Sequence, residues 1–185
     1  MLKSADIEKA LKAQKKKDAT IRWLIITAAL LVAAAVVVIV LIKTVFPIIR
    51  IEGSSMEQTF YQNELLLASK NGKISRGDII VFDYEGKTVI KRVIAVAGDT
   101  VDMDEDGNVS VNGELLDESY VYEKSIEPCE IEFPLTVGPG CVFVLGDHRA
   151  VSIDSRTFGC IKLESVTGKV ILQMFPVTKI GNDFN

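Results

Sequence analysis

The chain has 185 residues, 48% hydrophobic and 25% charged, with a net charge of −4. That is room for one domain of ordinary size, and the near-average apolar fraction excludes a bundle of membrane helices. One histidine and three cysteines, Cys129, Cys141 and Cys160, match no zinc-ligand spacing.

Residues 1–22 carry seven basic and three acidic side chains, so +4 sits there and the remainder of the chain carries −8. The run Trp23–Ile42 follows, 20 residues with Thr27 as its one conventionally polar side chain. About 20 apolar residues cross a hydrocarbon core of roughly 30 Å, whereas a buried helix of a soluble protein shows a polar stripe. A cleavable leader has an apolar region of about 7–15 residues and ends in a small-x-small site. The segment Lys43–Arg50 has none. We read residues 21–45 as an uncleaved transmembrane anchor. Cationic flanks stay in the cytoplasm, so residues 1–20 are the cytoplasmic basic terminus and 46–185 lie outside a single-pass cell-membrane protein. Lys15, Lys16 and Lys17 then serve topology and contact with an anionic bilayer, and nucleic acid is not an expected partner.

Beyond residue 45 no helical period is sustained. Glu64–Ser69, Asp78–Asp83, Lys87–Ala97, Gly140–Leu145 and Val166–Phe175 are short and rich in β-branched and aromatic residues. Turn signals such as Asn71-Gly72, Gly98-Asp99 and Asn112-Gly113 separate them. Val109–Val111 reads as a tight hairpin arm. The pattern predicts a mainly β domain, a sandwich or distorted barrel. Residues 115–139 are acidic and hold Pro128, Pro134 and Pro139, and read as an excursion from the main sheets. Cys141 and Cys160 lie in apolar runs and read as small core residues. Cys129 stands in a more polar stretch, and an odd count forbids full internal pairing.

Two residues carry the chemistry. Ser55 stands thirteen positions after the apolar run, in Gly53-Ser54-Ser55-Met56. Lys91 stands in the strand Thr88–Val96. Alternation puts Val89, Lys91, Val93 and Ala95 on one face and Ile90, Arg92, Ile94 and Val96 on the other. Both faces are apolar, so at least one cation is drawn out of water unless both snorkel to an edge. Arginine keeps its proton in a protein. A free lysine is neutral at pH 7 in only about one molecule in 2,500, but full burial lowers its pKa by roughly 3–5 units. A lysine so placed can take the proton of a serine hydroxyl. The stretch Gly146–Gly159 packs Asp147, Arg149, Asp154 and Arg156 around Ser152 and Ser155. Alternating acids and arginines between glycines suit a rigid network of charge-assisted bonds behind a site.

Four segments in order resemble the bacterial type I signal peptidases, the serine–lysine membrane proteases, in a Gram-positive-like short form. They are Gly53–Met56 after the anchor, Gly77–Phe82, Lys91–Ile94 with Gly98-Asp99 behind it, and Gly146–Arg149 with Ser152–Arg156 and Gly159. The resemblance spans roughly residues 15–175. It implies an antiparallel β-sheet catalytic domain of the signal-peptidase type behind one N-terminal transmembrane helix, working without metal or organic cofactor. The substrates it implies are secretory preproteins, cut after small residues at an Ala-x-Ala type site. By position, Ser55 is the nucleophile and Lys91 the general base. Ser152 matches the serine that hydrogen-bonds the lysine, and Asp154 and Arg156 a supporting ion pair. Phe46–Ile51 is expected to pair with the extended substrate, with Ile49, Ile51, Met56 and Ile90 as pocket residues.

The chain departs from the family pattern where proline commonly stands at Gln58, leucine at Phe60, Leu-Pro at Val96-Ala97 and asparagine at His148. None of these removes a reacting group. His148 invites a Ser-His-Asp reading, but relatives with a histidine base carry it at the position of Lys91, so His148 is read as a polar loop residue. A soluble self-cleaving serine–lysine protein of the repressor-related type is disfavoured by the anchor. A non-enzymatic membrane protein is disfavoured because Ser55 and Lys91 are both present.

Overall fold

The structure is a computed structural model and describes residues 4–127, 129–176, 181 and 184. Lys3 and Pro128, used in the sequence reading, lie outside the described residues. The chain divides into two compact units, Met1–Thr44 and Val45–Asn185.

The first unit is a helix, α1, Ser4–Val45. Its 42 residues reach about 63 Å at ~1.5 Å per residue. The basic flank and the apolar run are therefore one continuous helix, with no break at residues 20–21. Apolar side chains such as Trp23, Leu31 and Val37 are exposed along it.

The second unit is built of short strands: β1 (Ile48–Arg50), β2 (Leu65–Ser69), β3 (Ile79–Tyr84), β4 (Lys87–Val96), β5 (Thr100–Met103), β6 (Val109–Val111), β7 (Glu114–Leu115), β8 (Leu135–Thr136), β9 (Cys141–Leu145), β10 (Ile161–Lys162) and β11 (Val166–Phe175). Seven form one sheet in the order β1-β2-β11-β3-β4-β9-β10, and four form another in the order β7-β6-β5-β8. Every named pair is antiparallel. Among the described residues the larger sheet runs from β1 to β10 without closing on itself, which is not the barrel alternative. A single helical turn, α2 (Ser155–Phe158), interrupts the β pattern, and the Asp154 side chain caps it by accepting from the Arg156 N–H.

Strand β4 carries the candidate lysine, and local chemistry sets its register. Glu85 and Gly86 join β3 to β4 with φ of 51° and 76°. Positive φ at both positions is the type I′ geometry that matches strand twist, and glycine adopts it without strain. The hairpin then pairs Tyr84 with Lys87, Ile80 with Lys91 and Ile79 with Arg92. The expected alternation along β4 holds only as far as Val93. A register shift against β9 falls between Val93 and Ala95, so Ile94 and Ala95 both pack into the core of the smaller sheet with Val101, Val109 and Phe143. Val96 instead returns to the cluster of Val93, Ile80 and Phe82. One extra residue in a strand reverses the faces of everything after it, and an alternation rule has no means of placing it.

A further core cluster joins Ile51, Met56, Phe60, Leu66, Ile79 and Val81. It fastens the loop after β1 to the larger sheet. Residues 115–139 also differ from a plain excursion: Leu135 and Thr136 pair with β5, and the stretch before them lies across the loop that follows β9. Cys129, Cys141 and Cys160 are free thiols. Cys141 and Cys160 pack against the core of the smaller sheet, as their apolar surroundings suggested, and Cys129 Sγ lies 3.9 Å from Met103 Sδ.

Candidate active site

Ser55 stands on a tight turn between β1 and β2. Glu57 N–H donates to the Ser54 carbonyl at 3.0 Å and Phe60 N–H to the Met56 carbonyl at 2.8 Å. Met56 and Phe60 are buried in the core, where each such side chain contributes about 1.5–3 kcal/mol. The turn is thus held from below while Ser55 stays partly open. Gln58 adopts φ of 82°, which proline cannot reach. The departure from the family pattern there is one of backbone as well as side chain.

Lys91 Nζ donates to Ser55 Oγ at 2.6 Å, across 36 residues of chain. Lys91 is 3% exposed and Arg92 0%, so neither cation snorkels. The two are treated in opposite ways. Arg92 forms a fork to Asp147 at 2.9 and 2.7 Å, donates to the Gly77 and Phe184 carbonyls and lies 4.0 Å from the Tyr120 ring. Thr59, on the serine's turn, donates to the same Asp147 at 2.5 Å. Lys91 has no carboxylate at ion-pair distance among the described residues. Burial pushes its amine down from 10.5 to about 8. The Asp154 and Asp147 charges pull the other way, and the Arg156 charge adds to the lowering. Desolvation wins because no counter-ion touches the amine.

The loop after β9 closes the back of the pair. Asp154 accepts from Gly146 N–H at 3.0 Å and from Arg156 Nε at 2.8 Å. Arg156 Nη2 donates onward to the Arg149 and Ser152 carbonyls at 2.7 and 3.1 Å. The ion pair expected at Asp154 and Arg156 therefore exists, and it ties the loop's two ends. Gly146 leaves no room for a side chain: a Cβ there would lie 2.2 Å from Ser152 Oγ and 2.5 Å from the Ser55 carbonyl oxygen. Ser152 is the exception among the expected contacts. Among the described residues its buried Oγ has no hydrogen-bond partner, so the bond to lysine implied by the resemblance is not formed.

A cleft of about 730 Å³ opens beside Ser55 and Lys91. All four expected pocket residues, Ile49, Ile51, Met56 and Ile90, line it, and so do Val151 and Ile153 on the loop that carries Ser152. Sequence reasoning missed these last two. Their signal was an apolar residue on each side of Ser152 within an otherwise charged stretch. It also missed residues 116–127 and 129–131 as a strap. Tyr122 N–H donates to the Asp147 carbonyl, Arg149 N–H to the Glu123 carbonyl and Glu130 N–H to the Arg156 carbonyl, each at 3.0 Å. Glu118 pairs with buried Arg149 at 2.5 Å. Among the described residues no three His, Cys, Asp or Glu side chains converge as metal ligands would.

The chain is similar to known proteins over most of its length. Residues 21–175 match the family model described as signal peptidase, peptidase S26. A signal peptidase I of Bacillus caldolyticus is 36% identical over 156 residues, covering 76% of this chain and 85% of that protein. A signal peptidase I of Streptococcus pneumoniae serotype 4 is 30% identical over 172 aligned residues, covering 72% of this chain and 84% of that protein. The crystal structure of a signal peptidase I from Enterococcus faecalis V583 aligns with 37% identity and a TM-score of 0.45, over 52% of this chain and 96% of the other.

Proposed function

Given that this chain belongs to the signal peptidase, peptidase S26 family, and so is a serine endopeptidase that removes signal peptides from preproteins, we propose that Ser55 and Lys91 are its catalytic dyad. The observation that carries the proposal is the 2.6 Å contact between Lys91 Nζ and Ser55 Oγ, made by an amine that burial holds at about 8.

A neutral Lys91 takes the Ser55 proton as Oγ attacks the scissile carbonyl carbon. The Ser55 main-chain N–H stabilises the resulting oxyanion. As the tetrahedral intermediate collapses, the C–N bond breaks and the Lys91 ammonium gives its proton to the leaving amine. An acyl-Ser55 ester remains. Lys91, neutral again, deprotonates a water that attacks the ester, and Oγ recovers its proton as the new carboxyl end departs.

The substrate lies extended beside β1, whose outer edge has no strand partner among the described residues, and adds to it as a further strand. Ile49, Ile51, Met56 and Ile90 bound shallow pockets suited to small side chains, which fits an Ala-x-Ala type site. Asp154 and Arg156 hold the loop that backs Lys91, and Ser152 comes into hydrogen-bond contact with the amine during the reaction. Residues 21–45 anchor the enzyme in the cell membrane, with 1–20 in the cytoplasm and 46–185 outside. The support is the apolar, outward-facing surface of α1 and the basic charge before it. Tethering Ser55 thirteen residues beyond the apolar run raises its effective concentration at preproteins held in the same bilayer.

The test uses the full chain in detergent and a preprotein substrate. Ser55→Ala is expected to abolish cleavage with circular dichroism unchanged, and Lys91→Arg to be equally inactive because guanidinium stays charged. Substantial cleavage by either variant would remove that residue from the mechanism.

A further inference from the structure

The chain's single histidine stands beside the nucleophile, and the reaction above does not use it. His148 N–H donates to the Ser55 carbonyl at 3.1 Å. The residue is 8% exposed and its ring is bracketed by two carboxylates. Nε2 lies 3.3 Å from Glu123 Oε2. Nδ1 is buried, makes no hydrogen bond among the described residues and lies 3.4 Å from Glu57 Oε2. The Tyr122 ring meets the imidazole edge-on at 5.0 Å. Glu57 belongs to the serine's own turn, two residues after Ser55. Glu123 and Tyr122 belong to the strap. The neighbouring charges point elsewhere, Asp147 to Arg92 and Arg149 to Glu118.

We infer that His148 is a positioning residue, a clamp whose imidazole ties the nucleophile turn, through Glu57, to the strap, through Glu123. The inference rests on Ser55 being the nucleophile. A neutral imidazole has one N–H and can donate to only one of the two carboxylates, whereas an imidazolium donates from both nitrogens. The clamp is complete with a proton on the ring and loses one side without it. Ring and cleft do not meet, since His148 is absent from the cleft wall. The effect therefore falls on the chemical step and not on substrate binding.

The experiment measures kcat and KM of the full chain in detergent for wild type, His148→Asn, Glu57→Gln and the double variant. Asparagine keeps the main-chain donor to Ser55 and removes the ring. Partly exposed charge pairs contribute up to about 1 kcal/mol each, so kcat of His148→Asn is expected to fall about fivefold, with KM unchanged. Glu57→Gln reproduces the loss, and the double variant is no worse than His148→Asn alone. Glu57→Gln carries the same test if His148→Asn fails to fold. A loss borne by KM, or additive single effects, would overturn the clamp while leaving the dyad standing. Cleavage by Ser55→Ala would overturn the dyad itself.

Discussion

The depressed Lys91 pKa makes the pH profile of cleavage the most informative measurement. Against an ordinary value of 10.5, an amine at about 8 is neutral in roughly one molecule in ten at pH 7, compared with one in a few thousand. The gain in reactive base is about 300-fold, or ~3 kcal/mol at ~1.36 kcal/mol per pH unit. The assay is kcat/KM for a peptide spanning a preprotein cleavage site, from about pH 5.5 to pH 10. The expected curve climbs tenfold per pH unit below about 8 and levels above it. A flat line between about pH 6 and pH 8, or a climb that continues beyond pH 10, would refute the assignment of a buried, unpaired lysine as the base.

The same shift has a thermodynamic consequence of known sign. The unfolded chain binds a proton at Lys91 up to about 10.5 and the folded chain only up to about 8. Below pH 8 the folded state bears the full cost of the buried amine, about 3 kcal/mol. That cost shrinks as pH rises from 8 to 10.5 and is gone above it. Lys91→Met is therefore expected to be inactive yet more stable at pH 7. The gain is about 2 kcal/mol once ~1 kcal/mol is taken off for the lost bond to Ser55, and it narrows at pH 10. Thermal denaturation at the two pH values checks both the sign and the narrowing.

Gly146→Ala is expected to lower kcat by about 100-fold or more, because the added methyl displaces the Ser55 carbonyl or Ser152 and a shift of about 1 Å costs that much in rate; a cleavage assay reads it. Asp147→Ala leaves the fully buried Arg92 charge without its fork and should cost about 3–5 kcal/mol of stability, seen in denaturant unfolding. Gln58→Gly relieves a left-handed backbone at a residue with a side chain and should raise stability by about 1 kcal/mol, while Gln58→Pro should lower it because proline cannot adopt φ of 82°. Melting temperatures separate the two.

Much of the site could be read along the chain because its parts announce themselves locally. A serine in a small-residue turn, a lysine inside an apolar strand and an acid–arginine loop each leave a mark within ten residues or so. The pocket side chains Ile49, Ile51, Met56 and Ile90 were accessible for the same reason, lying next to Ser55 or Lys91 in sequence. The strap was not legible. Glu118, Tyr122 and Glu123 meet Arg149, Asp147 and His148 across more than twenty residues, and an irregular segment has no period to reveal its partner. Val151 and Ile153 were hidden by the charges around them.

Sequence by itself determined the apolar helix and the strand-rich remainder and singled out Ser55 and Lys91, since a long apolar run, a two-residue period and side-chain chemistry are all local properties. Tertiary structure alone decided that Lys91 meets Ser55 while Arg92 is locked onto Asp147, that β4 changes faces after Val93, and that Ser152 Oγ has no partner among the described residues. The physical reason is that desolvation and packing depend on what the rest of the chain brings within a few ångströms. Alternation along one strand draws both cations out of water, and only the fold gives Arg92 a counter-ion and Lys91 none.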